Sequence, residues 1–251
     1  MKISWNPLHF RKQKKTMRKI RLGIDMDHVL RDINRQIVND YQRDIDESVD
    51  IDEVDYRDDV VSTVCKFPSK KSLDKFPYED YPLEVFGHAG QPQRNLSRDL
   101  NLWMAELTNQ EDYDVEVFLF SMKEYNLTIP SSYFFLSKFA FKVRKVVFPK
   151  TFDELASYGD VFITAYEKNA SELAKRNRAV VYVQMNYNRD GERFADFVYQ
   201  SFREFLDDSE KLDKIAKITD IYQNRKKRKS LWTWMLSSIS SLLQTRRGRR
   251  T

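Results

Sequence analysis

Cysteine is almost absent from this chain of 251 residues: Cys65 stands alone, so no internal disulfide and no cysteine-rich metal framework can form. A reducing setting follows as the expectation, the cytoplasm or a host cytoplasm. Glycine (six) and proline (seven) are too scarce for a collagen-like or low-complexity chain. Long apolar runs are missing as well. No stretch reaches the roughly 18 apolar residues of a membrane span, and the first residues, MKISWNPLHFRKQKKTMRK, lack the apolar core of a signal peptide, so a soluble protein is expected. Acidic residues are missing from both ends. Residues 1–19 carry seven Lys/Arg and residues 225–251 carry nine, with no Asp or Glu in either, whereas residues 20–224 hold 27 basic against 38 acidic side chains. The body is acidic and the ends are basic.

What is present suffices for one main core with a small lid: 41% hydrophobic and 14% aromatic residues exclude a disordered chain of this length. Ile20 to Ile24 reads as a buried strand, and Asp32 to Tyr41 has helical spacing at Ile33, Ile37, Val38 and Tyr41. Residues 44–90 read as irregular, first acidic and then proline-punctuated, and a helix from about Ser97 to Asn109 follows. Strands at 115–120, 145–148, 161–163 and 179–183 then alternate with helices at 132–144, 152–156 and 169–176. Five apolar, β-branched runs separated by helices predict an α/β fold with a doubly wound parallel sheet. The expected layout is a basic arm (1–19), a core (20–32 and 115–190) with an inserted cap (33–114), C-terminal helices (191–229) hinged near Asp207 to Ser209, and an amphipathic helix with a basic tail (230–251).

Ligands of open parallel sheets bind beyond the carboxyl ends of the strands. Asp25 and Asp27 follow the first strand here, Ser121 follows VFLF, Lys150 follows VVFP, and ITAY ends the fourth strand. With DMDHVLRD at 25–32, GDVFITAY at 159–166 and MNYN at 185–188, residues 20–190 resemble the haloacid dehalogenase-like phosphatases. Within them the closest resemblance is to the small 5′-nucleotidase branch, whose opening motif reads about DMDGVLAD. The resemblance implies an aspartyl-phosphate mechanism on nucleoside monophosphates. Asp25 would attack phosphorus, and Asp27 would serve as general acid and then base. Ser121 and Lys150 would hold phosphoryl oxygens, and Mg²⁺ would bridge Asp25, the Asp27 carbonyl and an acid after the fourth strand.

Two departures oppose that activity. Thr164 and Ala165 stand where the family places its acidic pair, with Asp160 at the strand's other end, and His28 replaces a glycine of the phosphate loop. They predict a disabled site without cofactor; Mg²⁺ belongs only to the active alternative. The acidic stretch 44–59 lacks the glycine and terminal glutamate of a calcium loop and reads as a solvated lid face. Cys65 reads as inert.

The segment Ser230 to Leu243 would, as a helix, align Trp232, Met235, Leu236, Ile239, Leu242 and Leu243 on one stripe about 20 Å long, fit for this protein's own body, another protein chain or a membrane surface but not for a span. The basic residues Arg11, Lys12, Lys14, Lys15, Arg225, Lys226, Lys227, Arg228, Lys229, Arg246, Arg247, Arg249 and Arg250 are candidate attachment points. The expected function is therefore a structural or assembly component built on a disabled nucleotidase fold, with a phage virion neck or tail as one setting. The alternatives are a working Mg²⁺-dependent 5′-nucleotidase and a sequence-nonspecific nucleic-acid-binding module.

Overall fold

The computed structural model describes residues 17–49, 64–122, 128–184 and 189–225. The basic residues 11–15, 226–229 and 246–250, the stripe from Trp232 to Leu243, the MNYN segment and most of the acidic stretch 50–59 lie outside them.

Six strands form one parallel sheet: β1 (Arg18–Asp25), β2 (Tyr113–Phe120), β3 (Val146–Val147), β4 (Val161–Thr164), β5 (Ala179–Val183) and β6 (Phe197–Tyr199), in the order β3-β2-β1-β4-β5-β6. The chain builds outward from β1 to one edge, then returns to β1's other side with β4. The order of the sheet therefore reverses between β1 and β4, which puts Asp25 and Thr164 at the switch point where open parallel sheets ordinarily place ligands.

Both faces of the sheet are covered because successive side chains point to opposite faces. Ile20, Leu22, Ile24, Leu119, Val161, Ile163, Val181 and Val183 lie in one core. It is packed by α3 (Leu96–Leu107), α4 (Thr128–Lys138), α7 (Phe202–Asp207) and a helix over residues 211–225, α8. The alternate positions Phe118, Phe120, Phe162, Val180 and Tyr182 form the other core, under α5 (Phe152–Tyr158) and α6 (Glu167–Lys175). Between β1 and β2 a third cluster joins Ile33, Ile37, Val38 and Tyr41 of α1 (Ile33–Asp44) to Cys65, Phe76, Val85 and Phe86. Burial there pushes the Cys65 thiol up to about 12, which keeps it protonated and inert at neutral pH.

Several elements differ from the sequence reading for identifiable reasons. Residues 44–90 are not irregular throughout: α2 (Lys70–Lys75) leads into two π-helical turns, Phe76–Asp80 and Leu83–Gly87. These are closed by bonds from the Tyr81 N–H to the Phe76 carbonyl and from the His88 N–H to the Leu83 carbonyl, both 2.9 Å. Pro77 and Pro82 sit at the starts of these turns, where a missing N–H costs nothing. The helix placed at 132–144 runs instead from Thr128 to Lys138. Ala140 adopts a left-handed φ of 53°, and the N–H groups of Phe141 and Ala140 bond the carbonyls of Leu136 and Ser137, a Schellman closure that reverses the chain. Phe139 and Phe141 extend the apolar pattern beyond the helix because they pack back against Phe135. The sheet also runs past the expected 20–190 core, beginning at Arg18 and ending with β6 inside a stretch read as helical.

Gly23, in the middle of β1, shows a close approach that the packing demands. Its register partners are Phe118 and Phe162, whose rings meet edge to face at 6.1 Å across it, and a Cβ at Gly23 would lie 2.7 and 2.8 Å from them. Gly23→Ala should therefore cost about 1–3 kcal/mol by overpacking. Urea denaturation checks this, and Phe118→Leu in the same chain should recover part of the loss if the rings are the cause.

Candidate functional site

The carboxyl ends of β1, β2 and β4 hold a polar cluster with almost no exposure. Asp25, Arg31 and Thr164 are 0% exposed, Ser121 and His28 1%, and Asp27 3%. After Asp25 the chain turns sharply. The Met26 N–H bonds the Phe120 carbonyl at 2.8 Å, anchoring the loop to β2, and the N–H groups of Leu30 and Arg31 return to the Met26 carbonyl. His28 takes a left-handed φ of 65°, the conformation that glycine adopts without cost, and closes the loop by donating its N–H to the Arg31 carbonyl at 2.8 Å. Its ring stacks near Tyr166, with centroids 6.1 Å apart. The loop brings residues 27 and 31 side by side.

Every oxygen of the two carboxylates accepts a protein donor. Asp25 Oδ1 receives the Asp27 N–H at 3.1 Å, and Asp25 Oδ2 receives the Thr164 hydroxyl and the Asn169 amide, each at 2.7 Å. Asp27 Oδ2 receives the Ser121 hydroxyl at 2.7 Å, and Asp27 Oδ1 receives Arg31 Nε at 2.8 Å. Arg31 Nη1 also donates to the Phe86 carbonyl at 3.1 Å and to Ser132 Oγ at 2.6 Å. The guanidinium lies over the rings of Phe86 and Phe135, 5.0 and 5.8 Å from their centres. This one cation thus ties the β1 loop to the π turn holding Phe86 and to α4.

Electrostatics follow from that geometry. Burial raises the Asp25 pKa from its ordinary 3.8 to about 7, and the nearby Asp27 charge pushes in the same direction. The bonds from Thr164, Asn169 and the Asp27 N–H oppose the rise without cancelling it. Arg31 balances one of the two carboxylate charges.

Of the residues singled out in the sequence, Asp25, Asp27, Ser121 and Thr164 meet in this cluster, and Ala165 is buried beside it, its carbonyl accepting the Tyr182 hydroxyl at 3.3 Å. Lys150 lies three residues beyond β3 at the same edge, but it is exposed, and its backbone N–H bonds Glu154 at 2.9 Å. Asp160 sits at the far end of β4, paired with Arg21 at 2.9 Å. Arg31, Asn169 and Ser132 escaped the sequence reading. The spacing of Asp27 and Arg31, four residues apart in an otherwise apolar stretch, was the available signal for the first.

A Mg²⁺ ion needs six oxygen ligands in near-octahedral array at about 2.0–2.1 Å. This donor set does not fit it. The carboxylate oxygens already receive N–H and O–H donors, a guanidinium occupies one side of Asp27, and Thr164 at the end of β4 and Ala165 after it offer a hydroxyl and a methyl group. Among the described residues no group of three or more His, Cys, Asp or Glu side chains could hold a metal ion, and no helix is long and apolar enough to cross a membrane.

No protein-family model matches the chain, and no curated protein matches it. Solved structures similar to it include β-phosphoglucomutase from Clostridium difficile, at 11% identity and a TM-score of 0.49, covering 80% of this chain and 98% of that one. Another is L-2-haloacid dehalogenase from Xanthobacter autotrophicus with chloropropionic acid covalently bound, at 9% identity and a TM-score of 0.45, covering 74% and 96%.

The raised Asp25 pKa has a measurable sign. The folded chain holds this proton more tightly than the unfolded chain, so the contribution to stability is full below about pH 4 and is lost as pH rises through about 7. Asp25→Asn removes the titration. Relative to the parent chain, the variant should be more stable at pH 8 than at pH 5, as read by urea denaturation at both. A difference independent of pH contradicts the assignment.

Proposed function

We propose that this chain is a non-catalytic α/β protein whose strand-end carboxylates serve as a sealed structural cluster, and that it works as a component of a larger assembly attached through its basic ends. One observation carries the first half: all four oxygens of Asp25 and Asp27 accept donors from the chain itself, one of them a fully buried guanidinium. An aspartate that attacks phosphorus needs a free lone pair, and a general acid needs to reach a leaving group. Here three of the roughly four acceptor positions of Asp25 are taken by Thr164, Asn169 and a backbone N–H, and Asp27 is held between Ser121 and Arg31. Substrate would have to displace an ion pair from a site without solvent.

The charge distribution supports the second half. Basic ends without acids, on a body with 11 more acidic than basic residues, favour attachment at the ends over binding across the body. An assembly that contains nucleic acid supplies partners of the required charge, and a phage virion neck or tail is one such setting. The phosphatase reading keeps one observation in its favour, the convergence of Asp25, Asp27 and Ser121 at the carboxyl ends of β1 and β2.

Assays with deoxynucleoside monophosphates and Mg²⁺ separate the two readings. The expected outcome is no Mg²⁺-dependent phosphate release above a no-protein control. Robust release that Asp25→Asn abolishes establishes the phosphatase instead. The triple variant Arg31→Ala, Thr164→Asp, Ala165→Asp should gain Mg²⁺ binding by calorimetry, because it removes the internal cation and supplies the missing oxygens.

A further inference from the structure

We infer that the apolar groove beside β3, at the open edge of the sheet, takes the acidic segment that follows α1 on a second copy of this chain. Neither the Asp25 cluster nor the basic ends take part in this contact.

The groove is built by the end of α4, the turn after it and the edge strand. β3 has two residues and pairs only with β2, so the sheet ends there without a covering strand. α4 stops at Lys138, and the left-handed Ala140 turns the chain back toward β3. Asn101 of α3 fixes that turn: its amide donates to the Ala140 carbonyl, and its side-chain oxygen accepts the Lys142 N–H, each at 2.8 Å. Phe135 carries the turn from below through ring contacts to Phe139 and Phe141. What results is a groove of about 490 Å³ lined by Tyr133, Leu136, Ala140, Phe141, Val143 and Val146. Tyr133 is 52% exposed, its ring edge to face with Phe148 at 5.8 Å, and the adjacent Phe134 is 45% exposed. The walls are already fixed by the fold, so little ordering opposes an occupant.

The rim has one sign of charge. Residues 128–150 carry five Lys/Arg and no Asp or Glu, in a body where acids outnumber bases. Lys145 leans over the Phe118 ring on the other side of the sheet and meets Glu116 at 3.4 Å. Lys138, Lys142 and Arg144 are exposed, and among the described residues none of the three pairs with a carboxylate. An apolar floor under a cationic rim matches an apolar side chain carried on an acidic stretch of protein. A nucleic-acid backbone would meet the rim but leave the floor uncovered.

This chain carries such a stretch. After α1 come Asp44, Ile45, Asp46 and Glu47, and Ile45 is 52% exposed among those acids. The Ile45 and Asp46 N–H groups bond the Tyr41 carbonyl at 2.9 and 3.1 Å, and the Gln42 amide holds the Val49 carbonyl at 2.7 Å. Ile45 is thus presented outward on a turn tied to its own helix. In sequence the acids continue to Asp59, nine against Arg57 alone over residues 44–59, with Ile51, Val54 and Tyr56 among them. α1 belongs to the cluster around Cys65, whereas the groove flanks the core of α3 and α4, so the turn at Ile45 is matched to the groove of another copy. Because segment and groove are different patches, every copy offers both. Copies then add head to tail, either closing on themselves or extending.

A contact made by one segment is small, so a dissociation constant on the order of 1–100 μM is expected. Sedimentation velocity of the full chain from about 1 to 300 μM covers that range, and raising the salt to about 0.5 M should weaken the association. Two variants divide the contact. The groove variant is Lys138→Gln, Lys142→Gln, Arg144→Gln; the segment variant is Asp44→Asn, Ile45→Ser, Asp46→Asn, Glu47→Gln. Each alone should associate at least about 10-fold more weakly than the parent. Mixed, each supplies what the other lacks, and a 1:1 heterodimer that grows no further should form. Ile45→Ser by itself, at an exposed position, should weaken association about 10-fold, Lys138→Arg with Lys142→Arg should leave it unchanged, and circular dichroism checks that all variants fold. A parent chain that stays monomeric across the range overturns the inference, whether the segment stays in solvent or closes on its own groove. Association that either variant retains at full strength also overturns it, since contacts elsewhere, such as the basic ends, then carry the assembly. Failure of the two variants to pair on mixing does the same.

Discussion

The ion pair between Arg31 and Asp27 sets the terms for everything around it. Both side chains are essentially out of water, and desolvating them is costly enough that the pair persists only with full hydrogen bonding. The guanidinium meets that condition with a carboxylate, a backbone carbonyl, a hydroxyl and two aromatic faces. These partners come from the β1 loop, the segment before α3 and the helix after β2, so they hold three stretches of chain in one arrangement. Asp25 then remains as a second buried carboxylate with no cation of its own, and its raised pKa is the consequence.

The two ends of the sheet differ in how their polar groups are used. At the carboxyl ends of the strands, where parallel sheets ordinarily offer a ligand crevice, the polar groups face inward and are matched among themselves. At the amino ends, α8 packs beside the start of β1, where Arg18 pairs with Asp220.

The sheet was legible in the sequence wherever strands were long or fully buried. Ala179 to Val183 carries an unbroken apolar run, Ile20, Leu22 and Ile24 mark one face of β1, and the alternation in β2 is unmistakable. β6 has three residues, too few to show a period, and the end of α4 was hidden because Phe139 and Phe141 continue the apolar pattern after the helix has stopped. At the site, motif order placed Asp25, Asp27 and Ser121 at the ends of adjacent strands. Of the two departures within DMDHVLRD, His28 stands out by its place in the loop, whereas Arg31 governs the cluster. A sequence shows that an arginine is present, but not that two aromatic faces, a carbonyl and a hydroxyl from residues 55 and 101 positions away will make its burial tolerable.

The central claim, that an internal cation fills the place a metal would need, is tested most directly by growing crystals in Mn²⁺ and measuring anomalous scattering. The account predicts no manganese peak at the Asp25 and Asp27 carboxylates, with Arg31 Nε still bonded to Asp27. A peak within about 2.0–2.6 Å of a carboxylate oxygen, the range for a hard divalent ion, with the Arg31 guanidinium displaced from Asp27, contradicts it.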